Sequence, residues 1–144
     1  MSNFEILRAS PVFAGLSESQ MNKILTLARE TTFRQGDKLY ASGDECDDVY
    51  VHVSGDVGFS LGAQASKKGG TFIQPGDVIG WAALSRAKST QRLATATAQS
   101  EVKMLAIKGS GLLDLFDRDV ALGYAVMGRL LQYVTKKLIT ITTG

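Results

Sequence analysis

Three basic side chains, Arg86, Lys88 and Arg92, stand in a stretch from Val78 to Ser100 that contains no Asp or Glu. Cationic donors without competing carboxylates suit an anion, and a guanidinium suits phosphate because its planar fork donates two parallel hydrogen bonds. The stretch is introduced by Pro75-Gly76-Asp77, a turn composition, and by a short apolar strand, Val78-Ile79. Gly80 then opens a brief helix, whose first backbone N–H groups can add to the guanidinium in receiving one phosphate. A second strand follows Arg92, and Trp81, the single tryptophan, lies inside the arrangement.

The remaining reactive side chains argue against catalysis. His52 is the only histidine, which rules out multi-histidine metal sites and weakens a nucleophile–histidine triad. It falls on an alternating strand, where a partly exposed position is expected. Cys46 lies between Glu45 and Asp47, whose charges disfavour a thiolate. One cysteine permits neither an internal disulfide nor a structural zinc site, and it fits a reducing compartment. No pair of carboxylates has a catalytic spacing. The expectation is a chain that is not an enzyme, with no catalytic residue, metal or cofactor.

Composition narrows the partners. With 144 residues the chain has the size of one domain, and 44% hydrophobic residues can build one core. Sixteen basic residues against fourteen acidic ones give a net charge of +2, no general electrostatic case for nucleic acid. The acidic group Asp44, Glu45, Asp47 and Asp48 and the late Arg129, Lys136 and Lys137 read as solvated surface. Glu5 and Arg8 break up the N-terminus, and no apolar run approaches membrane-span length. A cytoplasmic domain that binds neither membrane nor DNA directly is expected.

The elements that must position the basic cluster follow from periodicity. Ser17 and Gln20 form a capping-box pattern, and Met21, Ile24, Leu25 and Ala28 share one face of a helix over residues 17–30. Phe4, Ile6, Leu7, Val12 and Phe13 supply a lead-in helix and packing loop. From Thr31 short Val-, Ile-, Phe-, Tyr- and Thr-rich runs alternate with turns at Gly36-Asp37, Gly43-Asp44, Gly55-Asp56, Gly69-Gly70 and Gly76-Asp77. Turns every ~8–12 residues signal a β-sandwich or barrel. In Val49–Val53 alternate residues face opposite ways, and Ser54-Gly55-Asp56 reads as a hairpin turn. The three regions are then residues 1–30, 31–108 and 109–144.

After Ile107 the helical period returns. Ser110 is the expected N-cap of a helix over Gly111–Phe116, and Asp117 or Asp119 of a long helix over Val120–Leu138. On the long helix Val120, Tyr124, Met127, Leu131, Val134 and Leu138 form a heptad seam, while Leu122, Val126, Leu130 and Tyr133 form a second apolar strip. A helix that is apolar on two sides is buried on two sides, which points to a homodimer.

Taken in order, these segments resemble the cyclic-nucleotide-binding domain of catabolite activators and protein-kinase regulatory subunits. The resemblance rests on Phe33-Arg34-Gln35-Gly36-Asp37, Ala41-Ser42-Gly43-Asp44, Asp48–Val57, Pro75–Gly80 and Gln91–Ala96. It implies a mainly β fold, a double-stranded β-helix or jelly-roll-like barrel, with N-terminal helices and a long C-terminal helix. It further implies a sensor that binds cAMP, cGMP or a related small anion and signals through the C-terminal helix to a separate effector protein. Arg92 matches the arginine that pairs with the cyclic phosphate. Gly80, Ala82 and Ala83 match positions that let the phosphate approach, with Trp81 and Leu93 beside them. Trp81 replaces a glutamate that accepts from the ribose 2′-hydroxyl; indole donates but cannot accept. Loss of such a bond costs about 1.5–3 kcal/mol. The alternative is a degenerate relative that no longer binds nucleotide and serves as a dimerisation or partner-interaction module. In this family the terminal helix serves as lid over the base, as dimer seam, or as both.

Overall fold

In the computed structural model the described residues are 1–61, 64–65, 74–86, 91–92 and 94–143. Of residues 61, 64–65 and 138–143 the backbone alone is described. Two N-terminal helices, α1 (Asn3–Ala9) and α2 (Glu18–Leu25), precede the sheets. Both begin with a reciprocal capping box, Ser2 with Glu5 and Ser17 with Gln20. The helix expected over residues 17–30 ends at Leu25. Its last turn tightens as the Thr26 hydroxyl donates to the Lys23 carbonyl at 2.6 Å and the Leu27 N–H to that of Ile24 at 2.9 Å. Ala28 therefore lies on a strand, because β1 (Ala28–Phe33) pairs antiparallel along its whole length with β8 (Val102–Lys108).

The other strands are β2 (Lys38–Tyr40), β3 (Asp48–Ser54), β4 (Val57–Leu61), β5 (Gln64–Ala65), β6 (Val78–Ile79) and β7 (Ala94–Ala98). They form two four-stranded antiparallel sheets, ordered β1-β8-β3-β6 and β2-β7-β4-β5. The mainly β architecture with flanking helices agrees with the expectation. Among the described residues the sheets do not join into one closed barrel.

Three turns share one device. In Arg34–Asp37, Ala41–Asp44 and Gln74–Asp77 the aspartate carboxylate accepts from the first residue's N–H at 2.9 Å. The aspartate N–H in turn donates to the first residue's carbonyl, at 2.9–3.0 Å. The intervening glycines have φ of 91–93°, as a turn with left-handed third residue requires. This explains the recurrent Gly-Asp pairs. The Gly69-Gly70 turn lies outside the described residues. Ser54-Gly55-Asp56 differs from the expected hairpin: it carries the chain from β3 in one sheet to β4 in the other.

Alternation sorts the buried residues into two cores. Val49 and Val51 of β3 and Leu105 and Ile107 of β8 face the helices, packing against Ile6, Ile24, Leu112, Phe116, Leu122 and Val126. Tyr50, Met104 and Ala106 face the second sheet and meet Leu39, Val57, Ala96 and Ala98. Being covered on both faces buries His52 as well; it is 2% exposed, where a partly exposed position was expected.

The C-terminal helices are α3 (Gly109–Arg118) and α4 (Val120–Thr143). Ser110 is not the cap. β8 runs straight into α3, and the Gly109 N–H is satisfied by the Asp47 carbonyl at 2.9 Å. Asp119 caps α4, its carboxylate accepting from Leu122 N–H at 3.2 Å. On α4 the strip Leu122, Val126, Leu130 and Tyr133 is buried, whereas Val120, Tyr124, Met127 and Leu131 stand in the open. Val134 turns partly inward onto the helical core. The side chain of Leu138 lies outside the described residues.

Candidate anion-binding site

Gly80 follows β6 and caps one 3-10 turn formed by residues Trp81–Leu84. Gly80 has φ 72°, a left-handed conformation that disfavours a side chain. A Cβ there would also lie 2.9 Å from Arg92 Nη1 and 3.1 Å from the Asp48 carbonyl oxygen. The turn closes by Ala83 N–H to Gly80 O and Ser85 N–H to Ala82 O. The N–H groups of Trp81 and Ala82, which open it, have no partner within it. Ala82 is half-buried, and Ala83 is buried beside Gly109.

Arg92 is held from two directions. Its N–H donates to Asp44 O and its carbonyl accepts from Gly43 N–H, both at 2.8 Å. The Gly-Asp turn at Ala41–Asp44 thus anchors the arginine backbone. Ser42 N–H adds a bond to the Thr95 hydroxyl at 2.9 Å. The residue is only 5% exposed. Nη1 donates to Gly80 O at 2.8 Å and Nη2 to Asp48 O. The guanidinium carbon stands 4.3 Å from the centre of the Tyr40 ring, a desolvated cation–π contact of about 2 kcal/mol. Tyr40 stacks on Tyr50 at 6.2 Å, and Phe33 meets Tyr50 edge-on at 6.1 Å. Burial raises the Tyr40 phenol to about 12 despite the opposing charge of Arg92. Burial and the nearby Asp48 charge raise Tyr50.

Two buried polar atoms at this corner have no hydrogen-bond partner among the described residues: Arg92 Nε and Asp48 Oδ1. The other carboxylate oxygen of Asp48 receives Arg29 at 2.7 Å. A desolvated guanidinium with an uncommitted donor is chemically fitted to hold one anion.

The other predicted residues separate. Arg86 does not join Arg92; it reaches Asp117 at 2.7 Å, both side chains being about three-fifths exposed. Such a surface pair contributes at most about 1 kcal/mol. Lys88 and Leu93 lie outside the described residues. Trp81 is half-buried against the helical core and meets Tyr133 of α4 edge-on, ring centres 6.1 Å apart. The indole and the guanidinium therefore serve different cores, although both flank Gly80.

Tyr133 is fixed in turn. Its hydroxyl oxygen accepts from Val78 N–H at 3.2 Å, and burial followed by the Asp77 charge raises its pKa. Lys137 approaches Asp77 at 3.6 Å and stands 5.3 Å from the centre of the Tyr133 ring. Sequence reasoning missed Tyr40, Asp48 and Tyr133 as members of this neighbourhood. Tyr133 belongs to the second apolar strip of the sequence, but no local pattern pairs it with Val78 or Trp81. Among the described residues no group of His, Cys, Asp and Glu could hold a metal ion, and no helix is long and apolar enough to cross a membrane.

No curated protein sequence matches the chain. Solved structures do. A cyclic nucleotide-binding protein of Geobacter metallireducens, so described provisionally, shares 22% identity with a TM-score of 0.80, over 96% of this chain and 99% of that one. The N-terminal domain of a transcriptional regulator from Streptomyces coelicolor shares 27% at 0.74, over 92% and 94%. The regulatory domain of Toxoplasma gondii PKA, crystallised with cAMP, shares 24% at 0.66, over 77% of this chain and 42% of that one. The family model described as cyclic nucleotide-binding domain matches residues 30–119, which take in β2 to β8, Gly80, Arg92 and α3. The chain belongs to the cyclic nucleotide-binding domain family.

Proposed function

We propose that this protein is a regulatory ligand-binding module, not an enzyme, that receives cAMP, cGMP or a related small anion at Arg92. The observation that carries the reading is the Arg92 guanidinium: buried, anchored by Gly80 and Asp48, and left with an Nε that has no partner among the described residues. Gly80, Trp81, Ala82 and Ala83 form the adjoining wall, with Leu93 assigned from sequence. Signalling runs to α4, because Trp81 and Val78 on either side of Gly80 both touch Tyr133. A ligand preferring one position of this helix shifts its population by the difference in affinity. The exposed seam Val120, Tyr124, Met127 and Leu131 supports homodimerisation, and a separate effector protein reads the outcome in the cytoplasm, without direct contact to DNA.

A degenerate relative acting as a dimerisation module is the second reading. Two features favour it: two Arg92 donors are already spent on the chain's own carbonyls, and no carboxylate stands at position 81. Titration with cAMP and cGMP, followed by Trp81 fluorescence, separates the two. Saturable micromolar binding that disappears in Arg92→Ala supports the first. Absence of binding at millimolar nucleotide rejects it in favour of the second.

A further inference from the structure

Arginine has five N–H donors in one plane. In Arg92 one from each Nη is committed, to Gly80 O and to Asp48 O, which lie on different elements. Nε is the guanidinium nitrogen that has no acceptor among the described residues. The orientation of the plane is set by a third contact, the ring of Tyr40 at 4.3 Å from the guanidinium carbon. That ring cannot swing away freely, since it stacks on Tyr50, which is itself met edge-on by Phe33. The aromatic column thus covers the guanidinium at its face, where hydrogen bonds do not form, and leaves the buried Nε–H at its edge without an acceptor among the described residues.

We propose that Tyr40 is the positioning residue of the anion site and that the ligand's oxyanion docks on the Nε edge of Arg92. This deepens the anion-binding reading above and rests on it. A tetrahedral oxyanion such as a phosphodiester takes Nε–H and one remaining Nη–H as a side-on fork, without displacing either carbonyl. Without the ring, the guanidinium keeps its charge and its two carbonyl bonds but loses the contact that fixes its plane. Affinity then falls although the cation remains.

The test uses the full chain with cAMP and cGMP as probes. Arg92 Nε–H is followed by side-chain NMR, and affinity is compared in wild type, Tyr40→Phe and Tyr40→Leu, with melting curves for each. The Nε–H proton signal is expected to move downfield on saturation. Tyr40→Leu is expected to bind about 3- to 30-fold more weakly, the range of a cation–π contact. Tyr40→Phe, which keeps the ring, is expected to stay within about threefold of wild type. Saturable binding with Nε–H unmoved overturns the proposal, as does a loss in Tyr40→Phe equal to that in Tyr40→Leu, or wild-type affinity in Tyr40→Leu. If Tyr40→Leu does not fold, the wild-type signal and Tyr40→Phe decide. A spectrum and Trp81 emission unchanged by millimolar nucleotide remove the parent reading as well, a result distinct from all the others.

Discussion

The hydroxyl oxygen of Tyr133, on the C-terminal helix, accepts a hydrogen bond from the backbone N–H of Val78 at 3.2 Å, two residues before Gly80. β6 is only two residues long and, among the described residues, pairs with β3 alone. One side chain from α4 therefore satisfies a buried donor that no described strand reaches. The same ring meets Trp81 in a near-perpendicular contact, so strand, cassette turn and helix meet at Tyr133.

Tyr133→Phe keeps the ring and removes the acceptor. It is expected to cost about 1–3 kcal/mol, the penalty for a buried donor left unpaired. Urea denaturation measures the loss, and hydrogen exchange should accelerate at the Val78 amide more than at Val51 in the neighbouring strand. Uniform acceleration would mean that the bond has no local role.

Gly80→Ala places a Cβ against Arg92 Nη1 in a backbone conformation of φ 72°. The expected destabilisation is about 1–3 kcal/mol. Because the crowding falls on Arg92, nucleotide affinity should drop alongside. Gly36→Ala, where φ is 93° but an added Cβ meets nothing within 4 Å, carries the backbone strain without the crowding and should spare affinity.

His52 gives a pH dependence. Burial holds its imidazole below the ordinary 6.5, with the charges of Asp77 and Asp56 opposing, and Nδ1 has no partner among the described residues. The unfolded chain therefore binds this proton at higher pH than the folded one, and stability rises with pH through the window. Its contribution is full above 6.5 and is lost as pH falls from there through the lowered folded value. Urea midpoints should drop between pH 7.5 and 5.5 in wild type, and by less in His52→Gln. An equal drop in both would assign the effect to other groups.

The two faces of α4 predict opposite outcomes at adjacent residues. Leu130 is 6% exposed and Leu131 69%. Leu130→Ala should cost about 2–5 kcal/mol, as for a buried leucine. Leu131→Ala should stay within about 0.5 kcal/mol in the folded monomer. Sedimentation of Met127→Glu/Leu131→Glu tests the seam: a mass halved relative to wild type supports the dimer, and an unchanged mass rejects this interface.

Much of this molecule is local in origin and could be read along the chain. The capping box at Ser17 and Gln20, the Gly-Asp turns, the alternation of β3 and the two apolar strips of α4 each arise from neighbours a few residues apart. Glycine with positive φ and an aspartate closing back on residue i−3 need no tertiary partner, so their spacing already carried the family resemblance. What tertiary structure decided was where these pieces meet. Pairing with β8 turned Ala28 from helix to strand, and coverage by a second sheet buried His52. The basic cluster divided because Arg86 found Asp117 at the surface, while Arg92 was drawn over Tyr40, 52 positions earlier in the sequence, and under the carbonyls of Gly80 and Asp48. Sequence types could nominate Arg92 as a phosphate donor. Its remaining hydrogen-bonding capacity depends on acceptors contributed by distant strands, and only the assembled fold brings them within reach.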